Sequence, residues 1–316
     1  MNRDLRIVFM GTPHFAVATL ERLLEHSYNV VGVITAPDKP AGRGRKLNQS
    51  AVKQFALEHN LEVLQPTNLK SETFLKELKA LKPNLQVVVA FRMLPEVVWK
   101  LPEYGTFNLH ASLLPDYRGA APINWAIING ETKTGVTTFF IDEKIDTGEI
   151  ILSKETHIDN NDSAGNLHDR LMCLGSDLVI ETLELIKDGP VETTPQPEIE
   201  HPKTAYKLNK DNCKLDFSKP LEQLYNKIRG LSPYPAAWCI LKNGETVLDV
   251  KIYKAQKESA EHKQDIGALL TDKNGIKICA EGGYLHVLEI QLPGKRKMET
   301  KSLLNGYQFH KEAKML

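Results

Sequence analysis

The first half of the chain alternates short, uninterrupted apolar runs with segments in which apolar residues recur at helical spacing. The apolar runs are residues 5–10, 29–35, 85–90 and 106–110. Runs of this kind are typical of strands buried on both faces of a sheet. Residues 51–59 and 71–81 have the period of amphipathic helices. This alternation predicts an α/β domain with a parallel sheet and helices on both of its faces.

The pattern changes near residue 190. Residues 163–187 predict a long helix, because leucines recur along one face, and Gly189-Pro190 is a helix stop signal. A polar, proline-dotted tract at 191–202 follows and predicts an extended linker. We therefore expect three parts, which are a first domain at 1–189, a linker at 190–206 and a second domain at 207–316.

The expected second domain contains short β-like segments separated by signals for tight turns. The segments are residues 237–241, 247–253, 276–280 and 285–292. Asn243-Gly244 and Asn274-Gly275 are dipeptides that favour hairpin turns. This pattern predicts a small β-barrel or sandwich.

Composition narrows the class of protein. The chain is 41% hydrophobic and 25% charged, as in ordinary globular proteins, and it has no apolar run long enough to span a membrane. The first apolar run is too short and too β-like for the core of a signal peptide, and we expect no transit peptide before it. The four cysteines are far apart, with no Cys-x-x-Cys pair. We expect idle thiols in a reducing compartment, hence a cytoplasmic protein of the bacterial type.

The net charge of zero conceals an asymmetry. Residues 206–316 hold 19 basic and 13 acidic residues, a balance of +6, whereas residues 1–205 hold 21 basic and 27 acidic residues, a balance of −6. A basic C-terminal third is consistent with a polyanionic partner, and equally with a lysine-rich surface that contacts only water.

Polar residues are most concentrated between 105 and 119. Asn108 and His110 are two apart at the end of a predicted strand, so their side chains project from one face, where ligands bind in open α/β sheets. An amide and an imidazole can stabilise an oxyanion and move a proton. The same two residues could also simply end the strand.

A carboxylate follows at Asp146, in the turn-like sequence Asp146-Thr147-Gly148. It is suited to orient the imidazole or to accept a proton through water, although an aspartate here could also only cap its own turn. Dinucleotide, Walker A, zinc-protease and serine-hydrolase motifs are absent from the sequence. We therefore expect the substrate to supply its own nucleophile.

The loop after the second predicted strand, residues 36–47, is long for its position and rich in glycine, proline and basic residues. Arg43, Arg45 and Lys46 suit phosphate contacts. An ordinary solvated loop would have the same composition.

Together these motifs closely resemble the folate-dependent formyltransferases, and within them the family that acts on methionyl-tRNA. The resemblance runs nearly end to end, and the matching segments are Phe9-Met10-Gly11-Thr12-Pro13, Pro37-Asp38-Lys39-Pro40-Ala41-Gly42-Arg43-Gly44, Phe107-Asn108-Leu109-His110-Ala111-Ser112-Leu113-Leu114-Pro115, Tyr117-Arg118-Gly119-Ala120-Ala121-Pro122-Ile123, Asp146-Thr147-Gly148 and Leu292-Pro293-Gly294-Lys295. The resemblance implies a Rossmann-like formyltransferase domain followed by an OB-like β-barrel that holds tRNA.

The resemblance also implies an activity and its residues. The family transfers a formyl group from 10-formyltetrahydrofolate to the α-amine of methionyl initiator tRNA, without a metal and as a monomer. The family's catalytic positions fall on Asn108, His110 and Asp146. Its folate-binding loop falls on Ser112, Leu113, Leu114 and Pro115, and its acceptor-stem loop on the segment with Arg43, Arg45 and Lys46.

One position departs from the family pattern. Arg92 follows the strand at 85–90 where many members carry glycine, in a loop that lies near the folate site of the family. We therefore expect Arg92 to belong to the folate-binding residues and to influence the shape of the folate pocket.

Three other functions are compatible with parts of this pattern. A formyltransferase for a small amine would share Asn108, His110 and Asp146 and would not need the basic loop or a barrel. A 10-formyltetrahydrofolate hydrolase usually carries a regulatory domain before the catalytic one, and here the first strand begins at residue 5. A non-catalytic RNA-binding protein would have no reason to retain all three polar residues.

Overall fold

The computed structural model describes residues 3–41, 46–200, 202–273 and 275–316, together with the backbone elements that they form. Eight helices lie within this part of the chain: α1 (His14–Glu25), α2 (Ala51–Glu58), α3 (Glu72–Ala80), α4 (Glu96–Trp99), α5 (Pro122–Ile128), α6 (Ala164–Asp188), α7 (Leu221–Gly230) and α8 (Thr300–Leu304). Its strands are β1 (Arg6–Gly11), β2 (Asn29–Ile34), β3 (Lys39–Ala41), β4 (Lys46–Asn48), β5 (Val63–Leu64), β6 (Leu85–Val89), β7 (Thr106–His110), β8 (Arg118–Gly119), β9 (Lys133–Phe140), β10 (Ile150–His157), β11 (Thr204–Ala205), β12 (Ala237–Asn243), β13 (Thr246–Ser259), β14 (Leu269–Asp272), β15 (Gly275–Ala280), β16 (Gly283–Gln291), β17 (Met298–Glu299) and β18 (Lys314–Met315).

These elements form two compact units that are not contiguous in sequence. Unit 1 contains residues 1–119, 134–156 and 168–204, and unit 2 contains residues 120–133, 157–167 and 205–316. Helix α5 and the first residues of α6 therefore belong to unit 2, although they precede the expected linker. The predicted domain limits at 189 and 207 remain predictions of where the chain divides along its length.

Unit 1 is built on a seven-stranded sheet in the order β10-β9-β7-β6-β1-β2-β5. Strands β7, β6, β1, β2 and β5 are parallel, as the uninterrupted apolar runs predict, and β9 is antiparallel to β7. The predicted apolar run at 5–10 corresponds to β1, where Ile7, Val8, Phe9 and Met10 are fully buried. The predicted α/β class is thus confirmed, with an antiparallel hairpin added at one edge.

Local sequence signals explain several helix ends in unit 1. Ser50 and Ser71 cap α2 and α3, because each hydroxyl accepts a hydrogen bond from a backbone N–H of the first turn. Helix α6 passes close to β7, since a Cβ at Gly175 would lie 2.8 Å from a Leu109 side-chain carbon. This close approach requires glycine and helps to fix the position of β7, which carries Asn108 and His110.

The second sheet belongs to unit 2 and has the order β14-β15-β16-β13-β12-β18. It is antiparallel throughout, and the long β13 pairs with both β12 and β16. Backbone hydrogen bonds from Leu269 to Ala313 and from Met315 to Gly267 join its two ends. The result is a nearly closed barrel around an apolar core to which α7 contributes Leu221, Leu224 and Ile228, and the predicted barrel fold is confirmed.

The four cysteines form no disulfide. Cys213, Cys239 and Cys279 are buried, and Cys173 is exposed. Burial raises the pKa of the Cys239 thiol to about 12, so that thiol stays protonated near neutral pH. None of the helices within the described ranges is both long and apolar enough to cross a membrane.

Candidate active site

Asn108 and His110 lie on β7, the strand predicted to carry them. Asn108 is opposite Val88 of β6, and His110 is opposite Thr137 of β9. The two side chains share one face of the sheet because they are two residues apart. His110 is buried, with 6% of its surface exposed, whereas Asn108 is partly exposed. Among the described residues the Asn108 amide has no hydrogen-bond partner, so it is available to a substrate.

The hydrogen bonds of His110 distinguish its two ring nitrogens. Nε2 lies 2.8 Å from the backbone oxygen of Tyr117. A carbonyl oxygen can only accept, so Nε2 carries the proton and donates it. Nδ1 faces Asp146, with 3.8 Å between Nδ1 and Oδ2. Nδ1 is therefore the ring atom that can take up a proton, and the carboxylate is placed to stabilise the resulting positive charge.

Asp146 lies in a tightly fixed turn between β9 and β10. Its backbone φ is +55°, a left-handed conformation that aspartate tolerates better than most residues. Its Oδ2 accepts a hydrogen bond of 2.9 Å from the backbone N–H of Gly119. Two residues on, a Cβ at Gly148 would lie 1.7 Å from the backbone oxygen of Phe140, so only glycine fits there. The structure thus brings Asp146 close to His110, as expected for a carboxylate that orients the imidazole.

Two residues outside the predicted site also hold this turn. The Gln196 amide nitrogen donates to the backbone oxygens of Asp146 and Gly148, at 3.0 and 2.8 Å. The Arg118 guanidinium donates to the Gln196 amide oxygen from Nε and from a terminal nitrogen, at 3.1 and 2.6 Å. Arg118 belongs to one of the family motifs in the sequence, but the sequence predicted no role for its side chain. The one sequence signal for Gln196 is its position between two prolines, which favours an extended backbone.

The predicted folate-binding loop follows β7. The Ser112 hydroxyl is fully buried and donates to the backbone oxygen of Asp116 at 2.7 Å. The Thr137 hydroxyl donates to the Ser112 backbone oxygen at 2.8 Å and accepts from the Leu114 N–H at 3.3 Å. Ser112 and Leu114 are therefore internal to the loop, whereas Leu113 and Pro115 remain partly exposed. Thr137 supports the loop. This role was not predicted, because the pattern of a strand does not distinguish a supporting threonine from its neighbours.

Arg92 lies in the neighbouring loop, after β6. Its guanidinium donates to the backbone oxygens of Pro66 and Thr67, the latter at 3.1 Å. These bonds tie the loop after β6 to the segment after β5. The side chain of Met93 extends from the same loop with 65% of its surface exposed. The predicted contact of Arg92 with folate remains a prediction, since its terminal nitrogens are engaged within the protein.

The predicted basic loop is the connection of a hairpin. Strand β3 pairs with β4 in antiparallel register, with Ala41 opposite Lys46. Arg43 and Arg45 lie outside the described residues, as does the side chain of Lys46. The expected phosphate contacts of these three residues stay predictions.

The base of this hairpin is well anchored. Asp38 forms a 2.6 Å ion pair with Lys53 and accepts a 2.8 Å hydrogen bond from the Gln65 amide. The hydrogen bond from Gln65, with that from Lys53, holds the pKa of Asp38 below its usual value. These contacts fix the segment that leads into β3.

The residues that the structure describes contain no cluster of side chains suited to bind a metal ion. No group of three or more His, Cys, Asp or Glu side chains there is arranged to hold a metal ion. The polar side chains that the structure describes at this site are an amide, an imidazole and a carboxylate.

A Rossmann-like sheet that carries an amide, an imidazole and a carboxylate at one site, together with an antiparallel barrel, defines the chain as a two-domain formyl transferase. Residues 5–183 match the family model described as formyl transferase, and residues 207–308 match the formyl transferase C-terminal domain.

Curated relatives narrow the class. A methionyl-tRNA formyltransferase from Flavobacterium johnsoniae is 61% identical over 98% of this chain and 99% of its own length. One from Bacteroides fragilis is 52% identical over 99% of this chain and 98% of its own length. The chain belongs to the methionyl-tRNA formyltransferase family, and the resemblance noted from its motifs is confirmed.

Solved structures support the fold. The crystal structure of WlaRD, a sugar 3N-formyl transferase in the presence of dTDP and 5-N-formyl-THF, covers 93% of this chain and 100% of its own, with a TM-score of 0.63 and 22% identity. HypX from Aquifex aeolicus in complex with tetrahydrofolic acid covers 96% of this chain and 47% of its own, with a TM-score of 0.61 and 19% identity. At identities under 25%, these two structures show the fold alone, and the class of substrate rests on the curated relatives.

Proposed function

We propose that this protein transfers the formyl group of 10-formyltetrahydrofolate to the α-amine of methionyl initiator tRNA, which yields N-formylmethionyl-tRNA for translation initiation. The observation that carries the proposal is the arrangement of Asn108, His110 and Asp146 in a chain that is 61% identical, over nearly its full length, to a methionyl-tRNA formyltransferase.

The loops after β6 and β7 are the proposed folate site. They follow adjacent parallel strands, so they lie at the same edge of the sheet, where open α/β sheets bind ligands. Arg92 ties the loop after β6 to the segment after β5, and the Ser112 hydroxyl holds the loop after β7 from within. Leu113, Pro115 and Met93 leave apolar surface for the cosubstrate. The unpartnered Asn108 amide fits a carbonyl oxygen, which is what the formyl group presents.

The three polar side chains divide the chemistry. 10-Formyltetrahydrofolate supplies the formyl carbon that the amine attacks. The Asn108 amide donates a hydrogen bond to the formyl oxygen as negative charge develops on it. The attacking amine loses a proton as the new C–N bond forms, and Nδ1 of His110 accepts this proton because Nε2 is occupied by Tyr117. Asp146 orients the ring and stabilises the imidazolium. The bond between the formyl carbon and N10 of the folate then breaks as the carbonyl re-forms, and the imidazolium returns its proton to N10, so that tetrahydrofolate leaves.

The proposed tRNA contacts use charge rather than a buried pocket. The region 206–316 has a balance of +6, and small β-barrels are common platforms for nucleic acids. Arg43, Arg45 and Lys46 belong to a hairpin whose base is fixed by Asp38 and Lys53. We propose that this hairpin contacts phosphates of the acceptor stem.

We also propose that the protein acts in the bacterial cytoplasm as a monomer. Its buried free thiols and its tRNA substrate favour a reducing compartment. Analytical ultracentrifugation at micromolar concentration tests the monomer, and a dimer would contradict it.

The decisive experiment supplies 10-formyltetrahydrofolate with methionyl initiator tRNA, uncharged tRNA or glycinamide ribonucleotide. Formyl transfer to the methionyl-tRNA alone supports the proposal. Transfer to glycinamide ribonucleotide, or release of formate without an acceptor, would contradict it and indicate a small-amine transferase or a hydrolase.

A further inference from the structure

We infer that Gln196 is a positioning residue for the reaction, because it holds the Asp146 turn in the geometry that serves His110. This inference rests on the proposed function. Gln196 belongs to the tract expected to be only a linker, and the neighbouring residues Pro195, Pro197 and Glu198 are exposed, whereas Gln196 is partly buried. Gln196 and the residues that it contacts all lie within unit 1.

The Gln196 amide is fully satisfied in one orientation only. Its nitrogen donates to two backbone oxygens, of Asp146 and Gly148, and its oxygen accepts two bonds from Arg118. A flipped amide would direct its oxygen at the two carbonyls and its N–H groups at a cation. The neighbours therefore fix the orientation of the amide, and the amide in turn fixes the spacing of the turn carbonyls.

The same contacts close a ring around Asp146. Arg118 precedes Gly119, whose N–H donates to the Asp146 carboxylate at 2.9 Å. Gln196 links Arg118 back to the Asp146 backbone oxygen at 3.0 Å. The Asp146 carboxylate is thus held by the segment with Arg118 and Gly119. The Asp146 backbone is held by Gln196, which also binds Arg118 of that segment. Removal of Gln196 would release both parts of the ring.

The conformation of Asp146 needs such support. A non-glycine residue with φ of +55° is strained, and this conformation persists only where the surroundings determine it. The tract that carries Gln196 is anchored beside the turn, since Thr194 and Ile150 exchange two backbone hydrogen bonds of 2.8 Å. This pairing delivers the amide to the two carbonyls.

The consequence for the reaction follows from the 3.8 Å separation between His110 Nδ1 and Asp146 Oδ2. A carboxylate at this distance stabilises the imidazolium only while the turn keeps its place. A displacement of about 1 Å at a catalytic group can cost up to ~10²-fold in rate. Gln196 should therefore affect the rate of transfer more than the binding of either substrate.

The test compares Gln196→Leu, which keeps the size of the side chain and removes the four hydrogen bonds, with Thr193→Val in the same tract. The Thr193 hydroxyl donates to the Glu149 carboxylate, whereas the Gln196 amide donates to Asp146 and Gly148. We expect Gln196→Leu to lower kcat by at least ~10-fold while KM for folate and for methionyl-tRNA changes less than ~2-fold. Thr193→Val should stay within ~2-fold of wild type in kcat.

A double-mutant cycle separates positioning from general destabilisation. In an Asp146→Asn background, the carboxylate that Gln196 positions is gone, so Gln196→Leu should lower kcat by less than ~2-fold further. A variant that only reduced the folded fraction would lower the rate by the same factor in both backgrounds. Equal factors, or a change confined to KM, would overturn the inference.

The experiment distinguishes failure of this inference from failure of the proposed function. If the wild-type protein does not formylate methionyl-tRNA, the proposed function fails. If it does, and Asp146→Asn is impaired while Gln196→Leu is not, then only the positioning role of Gln196 is wrong.

Discussion

Two regions of unit 1 are expected to meet the tRNA substrate, and they are built in opposite ways. The site around His110 and Asp146 joins residues from distant parts of the chain by hydrogen bonds between partly or fully buried groups. The hairpin of β3 and β4 is one contiguous segment, with Leu47 near its tip 68% exposed and its anchor, Asp38 with Lys53, at its base.

The difference follows from what each region has to do. Proton transfer and oxyanion stabilisation are sensitive to displacements of a fraction of an ångström. The participating groups must therefore be held in place before the substrate arrives. A phosphate contact depends mainly on charge and reach, so a short basic segment on a fixed base is sufficient. We therefore expect substitutions in the first region to change kcat and substitutions in the second to change KM for tRNA.

The largest effect is expected for His110→Ala. It removes the proton acceptor at Nδ1, so kcat for formyl transfer should fall by at least ~10²-fold, with tRNA affinity nearly unchanged. Steady-state kinetics and a filter-binding assay measure the two quantities. His26→Ala, at an exposed helix end of the same unit, is the control. Near-normal turnover of His110→Ala would remove this residue from the mechanism.

Gly148→Ala perturbs the same site through the backbone. The added Cβ would lie 1.7 Å from the Phe140 backbone oxygen, so the turn that carries Asp146 must move. We expect kcat to fall by at least ~10-fold and the midpoint of thermal unfolding to decrease. Gly306→Ala, where nothing lies within 4 Å of the new Cβ, should leave both values close to wild type. An unchanged kcat would show that the position of the turn is not critical.

Arg43→Ala tests the hairpin. We expect a higher KM for methionyl-tRNA, an unchanged KM for 10-formyltetrahydrofolate, and a salt dependence of tRNA binding whose slope falls by about 0.7–0.9 for one lost phosphate contact. Arg43→Lys keeps the charge and should retain most of the affinity. Loss of folate affinity instead would place this loop at the folate site and remove the contrast between the regions.

The smallest effect is expected for Asp38→Asn, and it should depend on pH. The pKa of Asp38 is lowered in the folded state, so its contribution to stability is complete above the unfolded-state value near 3.8 and disappears as the pH falls through the folded-state value. Urea unfolding should show Asp38→Asn to be less stable than wild type at pH 7, with a smaller difference below pH 3.8. The exposed Asp211→Asn is the control. A difference that stays constant with pH would mean that the charge is not what anchors the hairpin.

Much of the fold could be predicted from the sequence because its signals are local. Uninterrupted apolar runs located β1, β2, β6 and β7 to within a residue or so, and the leucine period located α6. The hairpin of β3 and β4 was expected to be a plain loop, because three-residue strands are too short to show a period. Helix α5 was not predicted either, since its seven residues lie within a motif that was interpreted for its chemistry.

The candidate site divides in the same way. Asn108, His110 and Asp146 stand in recognisable motifs, and the structure places the last two 3.8 Å apart. Gln196 could not be found in this way, because it lies 50 residues from Asp146 in a polar tract with no periodicity. The sequence also could not show which ring nitrogen of His110 can accept a proton, because this depends on the hydrogen bond from Nε2 to the Tyr117 carbonyl.

The sequence by itself determined which segments become strands and helices, that a basic C-terminal part follows an acidic body, and which three side chains are proposed to carry the chemistry. These properties depend on periodicity, composition and residue type, all of which are present in the unfolded chain. Only the tertiary structure decided that residues 120–133 and 157–167 join unit 2, that Gln196 and Arg118 enclose the Asp146 turn, and that Nδ1 is the free nitrogen of His110. These features depend on hydrogen bonds and packing between segments far apart in sequence, whose partners are chosen only when the chain has folded.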